Sequence, residues 1–205
     1  SPASSLMVFP TAAVIRTISE AGTAEQKERF FRELARGDKL CGFALTEPNF
    51  GSDAGSLQTR AASQNGNFIV NGTKSYITLG EHAHYYLVFV RTGPGKGTGG
   101  ISALIVDRAT EGLFFGKKER KMGLGGSVTQ EMIFRNAVVP AANMLLGMGE
   151  GWRVLTEKSN PMRLWGAASM ALGIAEGALL ESVSFAKRRV QFKKAIGRLQ
   201  AVQFM

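Results

Sequence analysis

The hydrophobic period of this chain changes twice, and that change limits the fold more than any single motif. Residues 7–21 place Val8, Ala12, Ile15 and Ile18 at helical spacing, and Gly22 can close that helix. Thr23-Ala24-Glu25-Gln26 has the form of a capping box, with Thr23 as N-cap and Gln26 reaching back. It opens a second helix, whose inner face would carry Phe30, Phe31 and Leu34 as far as Gly37. From Lys39 to about Leu146 the helical period is gone. Tyr85 to Val90 and Ile101 to Val106 are apolar runs of strand composition, and Gln130 to Phe134 reads as another strand. Asn65-Gly66 and Asn71-Gly72 are both hairpin signals, flanking Asn67 to Val70. After Gly149 the helical step returns through Trp165, Ala168, Leu172, Ala175, Leu179 and Val183. Pro161 either starts that helix, with Asn160 as cap, or kinks a longer one.

Helices, then short strands, then helices again imply an α+β multidomain chain with an antiparallel β-barrel or sandwich in the middle. The boundaries read as 1–38, 39–147 and 148–205. The outer parts are short for complete helical layers, so both ends read as cut. The Gly-rich segment Gly93 to Gly100 reads as a hairpin connection and not a phosphate loop, because no helix pattern follows it.

Charge narrows the partners. A formal net charge of +9 favours anionic ligands: nucleic acid, a membrane surface or a phosphorylated cofactor. Nucleic acid fits poorly, because no strand face interleaves aromatics with Lys and Arg. No apolar run reaches the roughly 18 residues of a membrane span. The single cysteine, Cys41, rules out an internal disulfide and suits a reducing compartment, with bacterial cytoplasm and mitochondrial matrix both open. Its side chain reads as a small buried hydrophobe. His82 and His84 could ligate a metal from one strand face, but no third ligand accompanies them, so no metal is expected.

The stretch Phe43-Ala44-Leu45-Thr46-Glu47-Pro48-Asn49-Phe50-Gly51-Ser52-Asp53 ends a strand-like run, Phe43 to Leu45, in a proline and a glycine turn. Gly51 there permits backbone angles that other residues avoid. On residues alone this is a turn that can bind an anion or a polar ring edge. Its wording resembles the flavin-binding signature of the acyl-CoA dehydrogenase family. Four more segments resemble the same family in the same order. They are Lys74-Ser75-Tyr76-Ile77-Thr78, Lys121 to Ser127, Val138 to Gly147, and Arg189-Val190-Gln191-Phe192 with Leu199 to Gln203.

The resemblance implies FAD. Groups from Phe43 through Leu45 to Thr46 would line the pyrimidine edge of the ring. Tyr76 would pack beside the ring, and Ile77 and Thr78 would bring a hydroxyl toward N5. Gly51 and Ser52 would sit near the pyrophosphate or the incoming CoA arm. Arg189, Phe192 and Gln200 would hold the FAD of a neighbouring subunit, so a homodimer or homotetramer is implied. Arg163 would face the CoA adenine or the mouth of the site. The implied reaction is α,β-dehydrogenation of an acyl-CoA thioester, with hydride passing from Cβ to flavin N5 and electrons passed on to an electron-transfer flavoprotein. Other flavin chemistry on a CoA thioester, or a stretch inactive for want of a base, stays open. One branch of the family places the base where this chain has Met162, which accepts no proton. Glu47, Glu150 and Glu157 match no family base. Leu79 replaces a usual polar residue, Lys193 a usual glycine beside helical packing, and Asn160 a common acid.

Overall fold

The computed structural model describes residues 2–93 and 97–205, with side chains from residue 8 onward. Residues 94–96 of the glycine-rich connection lie outside the described residues. The chain forms two compact units, Ser1–Leu164 and Trp165–Met205, and each is described by itself.

The first unit begins with a helix over Pro2–Ala21, which buries Val14 and Ile18. Gly22 N–H donates to the Ile18 carbonyl and ends it. The capping box forms as expected: Gln26 N–H donates to Thr23 Oγ1, and Thr23 N–H donates to Gln26 Oε1. The second helix covers 24–35, but its middle, Lys27–Phe31, is wound as a π-helix. Phe30 and Leu34 are buried, and Phe31 packs at the core's edge. Gln26 Nε2 also donates to the carbonyls of Ala142 and Met144, which ties this helix to the far end of the sheet.

Eight strands follow: β1 Cys41–Ala44, β2 Arg60–Gln64, β3 Asn67–Thr78, β4 Tyr85–Arg91, β5 Ile101–Asp107, β6 Leu113–Lys118, β7 Thr129–Pro140 and β8 Met144–Leu145. Their path is β6-β7-β3-β2-β4-β5-β8, with β1 added beside β4. Pairing is antiparallel except that β1 runs parallel to β4 and Arg60 meets Arg91 in parallel. The path stays open, so of the two expected architectures it is the sandwich.

The apolar runs of β4 and β5 now have a cause. Tyr85, Leu87 and Phe89 face the helices with Ile101, Ala103 and Ile105. Tyr86, Val88 and Val90 face β3 and β7 with Leu104 and Val106. Strands covered on both faces need no polar alternation. Asn65-Gly66 makes the expected two-residue turn, with φ of 49° and 76°.

Asn71-Gly72 is not a turn. Gly72 holds φ +146° inside β3, at a shift in register with β7, and a Cβ there would lie 2.5 Å from Thr59 Oγ1. The dipeptide marks a bulge in one long strand, and a bulge uses glycine for the same conformational reason as a turn. Strands β6 and β8 were not visible in the pattern.

A long helix covers Gly151–Arg188. Its stretch Val154–Ser159 is π-wound, with Val154, Leu155 and Ser159 buried. Pro161 follows this segment inside the helix, so the longer-helix alternative holds; a π segment is where a missing N–H is absorbed. Among the described residues this is one helix long and apolar enough to cross a membrane by length and composition. The sequence reading missed it because Gly, Ala and Ser interrupt its apolar side chains.

In the second unit Leu172, Leu179, Val183 and Phe185 are exposed, and no atom comes within 4 Å of a Cβ built on Gly173 or Gly177. A hairpin of β9 (Val190–Gln191) and β10 (Lys194–Ala195) and a last short helix, Gln200–Gln203, complete it.

Candidate functional site

β1 stops at Ala44, one residue sooner than the composition suggests, and the chain then turns tightly. Glu47 N–H donates to the Phe50 carbonyl and Phe50 N–H to the Glu47 carbonyl, closing a four-residue turn with Pro48 second. Gly51, Ser52 and Asp53 follow on the surface. Gly51 does not use the left-handed region, and nothing lies within 4 Å of a Cβ placed on it. The expectation that it supplies unusual angles is therefore corrected.

The two segments expected to form the site run side by side. Ser75 N–H donates to the Thr46 carbonyl at 2.8 Å. Further along, Gly42 lies against Thr78, whose carbonyl oxygen would stand 3.3 Å from a Cβ on Gly42. Thr46 and Thr78 are both half-buried, and no protein partner is recorded for either hydroxyl among the described residues. Phe43 is half-buried, with Phe89 at 5.2 Å between ring centroids. Leu45 and Ile77 are buried, so what they can offer a ligand is backbone. Tyr76 takes φ +59° at a register shift of β3 and is 64% exposed. That bulge sends Lys74 and Ser75 both inward and Tyr76 outward.

What holds this geometry is a buried ion pair that the sequence reading left without a role. Lys74 is 0% exposed; its Nζ donates to Glu47 Oε1 at 2.8 Å and to the Leu45 carbonyl at 3.1 Å. Glu47 also accepts the N–H groups of Gln58 (2.6 Å) and Thr59 (2.9 Å). Burial pushes the Glu47 carboxyl up, but the Lys74 charge and these hydrogen bonds hold it below its ordinary value. Burial draws the Lys74 ammonium down to about 8, against the pull of Glu47. A signal was present in the sequence: a lysine inside a strand-like run needs a buried partner if that position faces the core.

Glu47 is therefore committed to structure, and Glu150 and Glu157 both pair with Arg153. Arg163 lies with its guanidinium 5.2 Å from the Phe43 ring centroid and donates to Asn160 Oδ1 at 3.0 Å. Partial desolvation lowers its pKa, without threatening its charge. Beyond the turn, a cleft of about 860 Å³ is lined by Phe50, Ser56, Gln58, Arg60, Arg91 and Thr92. Ser52 follows the turn on the surface and is not among the residues that line this cleft. His84 Nδ1 accepts the Leu40 N–H, which gives that histidine a structural role.

In the second unit Arg189 sits at the base of the hairpin, its carbonyl accepting the Ile196 N–H at 2.8 Å. Phe192 is at the tip, 84% exposed, and Gln200 starts the last helix. Phe192 and Lys193 hold φ +51° and +64°, a two-residue turn with both residues left-handed. Lys193 thus replaces a glycine in a hairpin turn, not in helix packing as its neighbours suggested.

Comparison with known proteins bears on this arrangement. Residues 42–137 match the acyl-CoA dehydrogenase middle domain, and residues 149–205 match the acyl-CoA dehydrogenase C-terminal domain. An acyl-CoA dehydrogenase of Bacillus subtilis is 50% identical over 183 residues, 89% of this chain and 48% of the relative. An acryloyl-CoA reductase (NADH) of Anaerotignum propionicum is 44% identical over 191 residues, 92% of this chain and 48% of the relative. The butyryl-CoA dehydrogenase structure from Megasphaera elsdenii superposes with a TM-score of 0.95 at 40% identity, covering 100% of this chain and 54% of that one. The chain spans about half the length of the curated relatives it matches. Two family domains in sequence order, on a sandwich of that architecture, place the chain in the acyl-CoA dehydrogenase family.

Proposed function

We propose that the protein carrying this chain is an FAD-dependent dehydrogenase that removes hydrogens from Cα and Cβ of an acyl-CoA thioester. The observation that carries the reading is the pair of half-buried hydroxyls, Thr46 and Thr78, on neighbouring segments with no protein partner recorded among the described residues. Half-buried donors without a partner are the donor set a polar ring edge requires. When bound, the flavin supplies the hydride acceptor. The chain's own residues hold and orient it: backbone from Phe43 to Thr46 and from Ile77 to Thr78, with Tyr76 beside it.

Gly51 and Ser52 are assigned to the pyrophosphate and the CoA arm, and Arg163 to the mouth of the site. The cleft beside Arg60, Gln58 and Ser56 has the size and polarity for a phosphorylated group. Arg189, Phe192 and Gln200 are assigned to the FAD of a neighbouring subunit in a homodimer or homotetramer. Arginine suits pyrophosphate because its planar fork gives paired charge-assisted bonds. In this reading residues 1–38, 39–147 and 148–205 are the helical, flavin-binding and helical parts. An electron-transfer flavoprotein is the acceptor, and no base is assigned within this stretch.

The test is anaerobic titration of the FAD-loaded protein with saturated acyl-CoA thioesters. Bleaching of the flavin absorbance by at least one chain length is expected; no bleaching by any length overturns the reading. The similarity to an acryloyl-CoA reductase favours one second reading, reduction of a 2-enoyl-CoA. Reoxidation of the reduced protein by enoyl-CoA, without bleaching by saturated thioester, would select it. Thr46→Val and Thr78→Val should each weaken FAD binding about tenfold, the worth of one hydrogen bond.

A further inference from the structure

Among the described residues, Lys74 and Glu47 are the charged side chains that the fold buries. Their pairing alone would stabilise little, since removing two charges from water offsets most of the attraction. What Lys74 does with its second hydrogen bond is more informative. It donates to the Leu45 carbonyl at 3.1 Å. That oxygen belongs to the same peptide group as the Thr46 N–H. An ammonium on the oxygen draws electron density from the whole amide and strengthens its N–H as a donor, because linked hydrogen bonds polarise one another.

The Thr46 N–H has no recorded partner among the described residues, while the Thr46 carbonyl is already taken by Ser75. The next residue is fixed from three sides, by Gln58, Thr59 and Lys74. The peptide is thus both polarised and held still.

We propose that Lys74 is a positioning and charge-tuning residue for the flavin edge. It fixes the Leu45–Thr46 peptide and makes the Thr46 N–H a stronger donor, which favours the reduced ring. This rests on the flavin reading above. Glu47 sets the strength of the effect by holding the ammonium in place and anchoring the turn to residues 58–59.

The experiment uses the FAD-loaded protein and a paired variant, Lys74→Met with Glu47→Gln, which leaves no unmatched buried charge. Midpoint potentials are read by equilibration with a reference dye. In the fraction of the paired variant that carries FAD, the reduced-to-oxidised ratio at fixed potential should be lower by about tenfold, a midpoint fall of about 30 mV for two electrons. An unmoved midpoint in the loaded variant overturns the tuning role alone. Absence of FAD uptake by the wild-type protein sinks the flavin reading and the tuning with it.

Two further measurements stand if the variant does not fold. In the wild-type protein the midpoint should fall more steeply through the range in which Lys74, its pKa lowered by burial, loses its proton; a slope that stays constant while the Lys74 ammonium resonance titrates overturns the proposal. In the protein without flavin, the Thr46 amide proton should move upfield over the same range, and a fixed resonance overturns it equally.

Discussion

Residues 45–47 are held by a buried ammonium and by backbone donors from residues 58, 59 and 75, all distant in sequence. Residues 189–196 are held by a two-residue turn and the short ladder it closes. Both stretches carry motifs of the family, and they depend on opposite things. The first exists only when β1, β3 and the loop before β2 are assembled. The second can form from its own neighbours. The site expected on the sandwich should therefore fail with tertiary structure, and the hairpin should answer to local turn chemistry alone.

The sharpest way to break this contrast is to unbalance the ion pair. Glu47→Gln leaves Lys74 buried without its counter-charge and should cost about 3–5 kcal/mol. The paired change with Lys74→Met should restore most of the loss. Arg189→Ala, on the exposed hairpin, should stay within about 0.5 kcal/mol. Urea unfolding of the four proteins decides the matter, and equal losses at Glu47 and Arg189 would erase the distinction.

Acidity probes the same pair without mutation. The Glu47 carboxyl is held below its ordinary 4.5, so the unfolded chain takes up the proton first and stability falls as pH drops below that value. Lys74 works on the alkaline side. Between about 8 and 10.5 the unfolded chain keeps a proton the folded one has released, so stability rises with pH across that window. Urea midpoints from acid to alkaline pH should show both slopes in the wild type, and the paired variant should lose the alkaline slope and only Glu47's share of the acid one, since the carboxyls of Glu20, Glu25, Glu33 and Glu81 are also held low. Persistence of the alkaline slope in the variant would assign it to other groups.

Gly72→Ala tests whether the bulge beneath the site tolerates change. The added methyl would meet Thr59 Oγ1 at 2.5 Å and Thr59 Cα at 2.7 Å, in a conformation alanine resists. About 1–3 kcal/mol should be lost, as for other overpacked positions. Thr59 N–H is a ligand of Glu47, so the same change should also loosen the clamp. A neutral Gly72→Ala in thermal unfolding would show that β3 can slide there.

The elements that could be read from sequence were those with local causes. The capping box at Thr23, the turn at Asn65-Gly66 and the runs of β4 and β5 each follow from residues within a few positions. The side-by-side placement of the Thr46 and Thr78 segments came from family wording, not from any local rule. Asn71-Gly72 was misread because a glycine demanding positive φ looks the same in a turn and in a bulge. The Lys74–Glu47 pair was missed because 27 residues separate its members. A two-residue period, once broken by a bulge, also stops telling inward from outward. The turn at Phe192-Lys193 was hidden by the lysine, where a glycine would have announced it.

That lysine offers the finest adjustment. A left-handed conformation costs an L-residue roughly 1–2 kcal/mol, and Lys193 bears it at φ +64°. Lys193→Gly removes the strain but adds freedom to the unfolded chain, so the net gain should be a few tenths to about 1 kcal/mol. Global unfolding is a poor reporter for a change this small. The Ile196 N–H is a better one, because it bonds to the Arg189 carbonyl across the base of the hairpin and is released when the hairpin opens. Its hydrogen exchange should slow about two- to fivefold in the variant, the amount that gain implies. Exchange at Ser75 N–H, in the sandwich, should not change. If both protons slow together, the hairpin is coupled to tertiary structure after all, and the division between remote and local support does not hold.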